Sequence, residues 1–190
     1  MSERQNKQRL DEDRRLVRLW FRSGAAEPLV ITRHQEYEPR AVLWPSLWAR
    51  FRQNLRSLVV LAAGAVPISP VKIALYRFLG TKIGRGVYIG PGVLIDPLYP
   101  ELITLEDGCF LGIGCRLFAH EITAGNFRLG RITIGAGSVV GAYATVRSGV
   151  SIGRKATVGF NTFVNRDVPD GATVVGVPGR ILDKEQEPEC

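Results

Sequence analysis

His120 stands beside a carboxylate, Glu121, inside an irregular stretch from Phe118 to Arg131. A neutral imidazole, with an ordinary pKa of about 6.5, takes a proton from an attacking hydroxyl or amine near neutral pH. Glu121 then has three readings: it orients the ring, it holds a substrate, or it is a solvated surface carboxylate. A second irregular stretch, Asp96-Pro97-Leu98-Tyr99-Pro100, offers Asp96 and Tyr99 as further substrate contacts. The plainer reading of Asp96 is a turn cap. Metal chemistry is not expected, because the chain has only two histidines, His34 and His120, and no Cys/His cluster. Cys109 and Cys115 read as small buried core thiols, and Cys190 is the terminal residue.

What positions these residues is a count of six. An aliphatic residue, often followed by Gly, recurs at Ile83, Ile89, Ile95, Leu105, Leu111 and Leu117, then at Ile134, Val140, Val146, Ile152, Val158 and Val164. Small or β-branched residues follow four places on, among them Val87, Val93, Cys109, Cys115, Ser138, Ala144, Val150, Ala156, Thr162 and Val168. Neither a helical nor a simple strand period fits this, whereas a parallel β-helix of hexads does. Three hexads close one triangular coil, so twelve make about four coils, stacked roughly 4.8 Å apart. Aliphatic ladders such as Ile134 over Ile152 and Val140 over Val158 would fill the interior, each contributing about 25 cal/mol per Å² of apolar surface buried. A filled interior holds no ligand. Chemistry belongs where the count breaks, between Ile95 and Leu105 and between Leu117 and Ile134.

The expected fold is therefore an all-β solenoid, a parallel β-helix of about four coils with an N-terminal, mainly helical extension. It divides into the extension (1–80), the β-helix (81–182) and a tail (183–190). Net charge is +7, yet residues 81–190 balance, so the excess lies in the extension. Leu29-Val30-Ile31 reads as a loop or short strand, and Pro45 as the start of a helix on which Trp48, Phe51, Leu55, Leu58 and Val59 share a face. The uncharged run from Ser57 to Val71 is too short for the roughly 20 residues of a membrane span and carries Pro67 and Pro70. Residues 45–79 either cap the first coil, as solenoid ends require, or lie on a membrane with Trp44, Trp48 and Phe51 in lipid and arginines on anionic head groups. The two readings are compatible. Nucleic acid is not expected, since the basic charge is diluted by acids and no binding motif is present. Met1 to Arg15 lacks the apolar core of a secretion signal, so the expected compartment is the cytoplasm, with or without peripheral contact at the inner membrane face.

The hexads, the loop with its His-Glu pair and the closing run Asp167-Val168-Pro169 to Val174-Val175-Gly176-Val177-Pro178-Gly179-Arg180 resemble the hexapeptide-repeat acyltransferases. The resemblance covers about residues 80–182 and points to the galactoside and maltose O-acetyltransferase branch. It implies left-handed coils, a homotrimer, acetyl-CoA as cosubstrate and active sites in the clefts between subunits, with His120 as general base. Gly141-Ala142 and, one coil on, Gly159-Phe160 match the family's pantetheine-binding segments, with Phe160 where a small residue is usual. Asn165-Arg166 matches the pair that contacts the CoA phosphates, where Thr-Lys is more common. Arg180 matches a basic residue near the adenosine 3′-phosphate. Val139 stands where sugar acetyltransferases often carry Trp. The function implied is transfer of an acetyl group to a hydroxyl of a sugar or glycoconjugate. The alternatives are an N-acyltransferase acting on an amine and a catalytically silent scaffold.

Overall fold

The computed structural model describes residues 3–32, 46–123 and 126–182, with the side chains of residues 3–7 left undescribed. His34, Trp44, Pro45, Cys190 and the tail 183–190 lie outside the described residues. Among the described residues there are three α-helices: α1 (Glu3–Ser23), α2 (Leu47–Ala65) and α3 (Ser69–Phe78). The described residues also form seventeen strands, from β1 (Leu29–Thr32), which lies between α1 and α2, to β17 (Arg180–Ile181).

From β2 (Lys82–Ile83) onward, the coil strands fall in rotation into three parallel sheets. The first sheet holds β2, β5 (Ile103–Leu105), β10 (Ile132–Ile134) and β13 (Ser151–Ile152). The second holds β3 (Tyr88–Ile89), β6 (Phe110–Leu111), β11 (Val139–Val140), β14 (Thr157–Val158) and β16 (Thr173–Val175), with β17 antiparallel at its edge. The third holds β4 (Leu94–Ile95), β7 (Arg116–Leu117), β12 (Thr145–Val146) and β15 (Phe163–Val164). Each strand pairs with its equivalent one coil away, which is the wiring of a three-sided coil.

The register puts the aliphatics in columns: Ile83, Leu105, Ile134 and Ile152 on the first side. Ile89, Leu111, Val140, Val158 and Val174 stack on the second, and Ile95, Leu117, Val146 and Val164 on the third. The small position four places on is buried as well, from Val87 through Cys109, Cys115 and Ala144 to Thr162. Val168 departs from the expected count. It bridges to Ile152 and so takes a ladder position itself, two residues early.

The glycine after the aliphatic residue has a steric cause. A Cβ on Gly141 would lie 2.7 Å from the carbonyl oxygen of Val158 in the next coil, closer than coil stacking permits. A second corner position needs a left-handed backbone. Glycine usually fills it, as at Gly86, but Tyr143 (φ 59°) and Asn161 (φ 53°) occupy the same place in later coils.

Burial raises both core thiols, Cys109 and Cys115, from an ordinary 9.0 to about 12. Their neutral forms are favoured in the fold, so the stability they lend is complete below pH 9 and is lost as pH climbs toward 12. The expected result is a loss of stability in denaturant titrations across that window. Replacing both thiols by alanine should make the loss shallower. The same burial predicts that neither thiol reacts with a disulfide reagent until the protein unfolds.

Helices α2 and α3 cover the open edge of the first coil. Ser46 caps α2 by accepting from the Ala49 amide at 3.1 Å, so the helix opens at Leu47, two residues beyond the expected Pro45. The buried ammonium of Lys72 donates to Ile89 and Gly90 carbonyls at 3.3 and 2.7 Å, and Tyr76 Oη donates to the Val93 carbonyl at 3.0 Å. Arg77 reaches the carbonyls of Ile83 and Gly84. These contacts occupy first-coil carbonyls that no preceding coil can reach.

Candidate active site

The first break in the count places Asp96 at the corner that follows β4, after which Pro100–Leu102 forms a short 3-10 turn leading into β5. The second break, expected to be a loop, is a β-hairpin: β8 (His120–Thr123) antiparallel to β9 (Asn126–Leu129). Its alternation explains the strand, since Phe127 and Leu129 are buried while Arg128 between them is not. The outer edge of β9 is paired by β1, Leu29 against Leu129 and Thr32 against Asn126. The extension thus contributes a strand beside the site as well as a cap at the solenoid end.

Asp96 is fully buried and its carboxylate is heavily engaged. Oδ1 accepts from the amides of Leu98 and Tyr99 at 2.8 and 3.0 Å, which caps the turn. Oδ2 accepts from the His120 amide at 3.0 Å and lies 2.6 Å from His120 Nδ1. A carboxylate is an acceptor, so the proton in that contact belongs on Nδ1, and the lone pair of the ring is on Nε2. The His120 side chain keeps 16% of its surface exposed.

Tyr99 stands edge-on to His120 with ring centroids 5.7 Å apart, and Phe21 of α1 lies 6.0 Å beyond it. Trp20, the neighbour of Phe21, is buried and donates from Nε1 to the Glu27 carbonyl at 2.8 Å. The Arg131 guanidinium sits 4.9 Å above the Trp20 ring. An aromatic wall from α1 therefore flanks the histidine.

Glu121 does not share the ring's environment. Adjacent strand residues point to opposite faces, and its carboxylate turns to Arg147 Nε (2.9 and 3.0 Å) and to Ser148 Oγ (2.5 Å) and the Ser148 amide (3.2 Å). Arg128 approaches at 3.9 Å and also bonds Ser148. This cluster ties the hairpin to the third coil. The carboxylate on His120 is Asp96, twenty-four residues away in sequence. Asp96 is enclosed beneath the ring and makes no open surface for a substrate, in contrast to the expected substrate contact.

The remaining candidates lie elsewhere on the prism. Gly141-Ala142 and Gly159-Phe160 occupy the corner between the second and third sheets, on successive coils. The Gly141 and Gly159 amides are taken by the carbonyls of Val158 and Val174. Phe160 is 78% exposed. Asn165 follows β15 on the same corner as Asp96 and Arg147, with its Oδ1 buried and without a hydrogen-bond partner. Arg166 and Arg180 are exposed. Within one chain the His120 group and the Gly141 group thus stand on different corners. Sequence reasoning read Asp96 as a turn cap, which it is, or a substrate contact, and missed its pairing with His120 within one chain, although both flank the same corner of adjacent coils. It also missed Phe21 and Trp20, whose only signal was a sparse apolar face on α1.

Residues 131–166 match the family described as bacterial transferase hexapeptide (six repeats). A Bacillus subtilis (strain 168) protein, "Putative acetyltransferase YvoF", is 36% identical over 131 residues, 68% of this chain and 76% of that protein. The chain belongs to the hexapeptide-repeat acetyltransferases. Among solved structures, it is similar to a hexapeptide-repeat acetyltransferase of Vibrio cholerae O1 biovar eltor complexed with acetyl-CoA. The TM-score is 0.61 at 21% identity, over 75% of this chain and 91% of that one. A maltose O-acetyltransferase from Clostridium difficile 630 has a TM-score of 0.57 at 14% identity, again over 75% and 91% of the two chains. At these identities the structural likeness bears on the fold.

Proposed function

We propose that this protein is a homotrimeric, left-handed β-helix O-acetyltransferase that moves an acetyl group from acetyl-CoA to a hydroxyl of a sugar or glycoconjugate. The observation that carries the reading is the Asp96–His120 pair, set at the two breaks in an otherwise filled solenoid. His120 Nε2 takes the acceptor's hydroxyl proton as its oxygen attacks the thioester carbonyl. The tetrahedral oxyanion collapses, the carbon–sulfur bond breaks, and the departing CoA thiolate recovers the proton from the imidazolium. Asp96 holds the tautomer and steadies the charged ring, while Tyr99 and Phe21 wall the acceptor side. Glu121 supports the hairpin through Arg147 and Ser148.

The same geometry supports the trimer. The proposed pantetheine groove (Gly141, Ala142, Gly159, Phe160) and the histidine occupy different corners of one prism, so a neighbouring subunit is needed to join them. The Ala142 and Phe160 amides would face the pantetheine, and Asn165, Arg166 and Arg180 would meet the CoA phosphates. The protein works in the cytoplasm, where acetyl-CoA is made, in peripheral contact with the membrane through its helical cap.

The test is incubation with acetyl-CoA and a panel of sugars, glycoconjugates and amines, following free thiol and acetylated product. Thiol release that depends on a hydroxyl acceptor, with an ester product, is expected. Release with amines alone would make it an N-acyltransferase. No release with any acceptor would overturn the enzymatic assignment of this site.

A further inference from the structure

Helix α2 wears its apolar stripe on the outside. Trp48, Phe51, Leu55 and Leu58 recur at helical spacing and are 77%, 60%, 53% and 62% exposed. The opposite face, turned to the first coil, is mostly small or polar: Gln53, Ser57, Val60, Ala63 and Gly64. A helix packed on a domain ordinarily does the reverse. Scattered exposed apolar residues mean little, but a continuous stripe of large ones marks a surface built to be covered.

The charge around the stripe says by what. Residues 46–78 carry Arg50, Arg52, Arg56, Lys72 and Arg77 and no Asp or Glu, whereas the acids and bases of residues 81–190 balance. Lys72 is buried and Arg56 is paired with Glu101, while Arg52 is exposed one turn on from Trp48, at the edge of the stripe. A second copy of the helix would set like charges face to face. An anionic bilayer surface takes both features at once. No helix among the described residues is long and apolar enough to cross a membrane, so the contact is interfacial.

We infer that the outer face of α2 docks on anionic phospholipid, with Trp48, Phe51, Leu55 and Leu58 between the head groups and Arg52 against lipid phosphates. This gives a surface and a ligand chemistry to the membrane contact proposed above, and it stands apart from the acetyl-transfer chemistry. The inner face of the same helix holds the site's loop: Gln53 Nε2 donates to the carbonyls of Pro97 and Leu98 at 3.3 and 3.1 Å, and Ser57 Oγ to Pro97 at 3.2 Å. A docked α2 therefore keeps the loop carrying Asp96 and Tyr99 within one helix of the bilayer.

The experiment is sedimentation of the full-length protein with phosphatidylcholine–phosphatidylglycerol vesicles, without acetyl donor. Binding at low salt should weaken about tenfold or more with pure phosphatidylcholine, and fall likewise at high salt, since the attraction is screened over about 8 Å already at physiological ionic strength. Trp48→Glu should lower binding at least as far, with circular dichroism and acetyl transfer in solution unchanged. Lipids brominated near the head groups should quench wild-type tryptophan fluorescence, a reading that needs no variant. Absence of binding at low salt, or equal binding to neutral and anionic vesicles, would overturn the inference. So would a Trp48→Glu variant that falls out of its oligomer while wild type ignores vesicles, which assigns the stripe to a second copy. Because the acetyl-transfer assay runs in solution, either proposal can fail while the other holds.

Discussion

Replacing His120 by alanine should lower kcat by about 10²–10⁴-fold and leave assembly and CoA affinity intact. The expectation rests on where the ring is held. Its Nδ1 face is closed by the Asp96 carboxylate at 2.6 Å, so the ring's other nitrogen, Nε2, is the one left to accept a proton. Alanine removes that base, and little packing goes with it, since the ring leans on Tyr99 edge-on and remains partly exposed. The check is steady-state kinetics beside circular dichroism and light scattering. Near-normal turnover by a folded, assembled variant would remove His120 from the mechanism.

Asp96→Asn should be nearly as damaging, for a different reason. The amide keeps the shape and can still accept from Leu98 and Tyr99 through its oxygen. The other end, which now accepts from the His120 amide and faces Nδ1, becomes an NH₂ donor. The imidazole must then present a lone pair at Nδ1 and carry its proton on Nε2, the tautomer that cannot take a proton from the acceptor. We expect kcat to fall about 10²–10⁴-fold with KM for both substrates little changed. Stability should fall too, by about 1–3 kcal/mol, because the buried His120 amide loses its acceptor. The distinguishing measurement is the double variant. If Asp96 acts only through His120, His120→Ala with Asp96→Asn should turn over no more slowly than His120→Ala alone. Additive losses would mean that Asp96 has a role apart from the ring.

The coils were legible because one constraint repeats. Every Ile, Leu or Val at the ladder position must face inward, and every glycine beside it must clear a backbone one coil away, so period six is written into the chain at each step. The site was only half legible. His120 was marked by its place in an interruption, but its sequence neighbour Glu121 drew attention from Asp96. In a strand, neighbours point apart, and the partner comes from the coil below. The hairpin itself carried a signal in the alternation of Phe127, Arg128 and Leu129. The third strand was readable at Leu29-Val30-Ile31, but its partner was not, because nothing local there names Leu129. The apolar face of α2 was readable as a face, while its direction was a matter of packing that periodicity does not encode.

The pairing of β1 with β9 also sets an order of events. Ladder contacts join residues about a coil apart, so the solenoid can grow by short loop closures from any point along its axis. Leu29 must wait for Leu129, across most of the chain. During synthesis the ribosome releases β1 well before its partner exists, and the hairpin emerges before the later coils that hold Arg147 and Ser148 in place. In the full-length chain, β1 closes onto β9 across about a hundred residues, the kind of long-range contact that slows folding most. A chain stalled at that stage would have a finished prism and an unfinished catalyst. For this protein, a folded solenoid and a working enzyme are separate milestones.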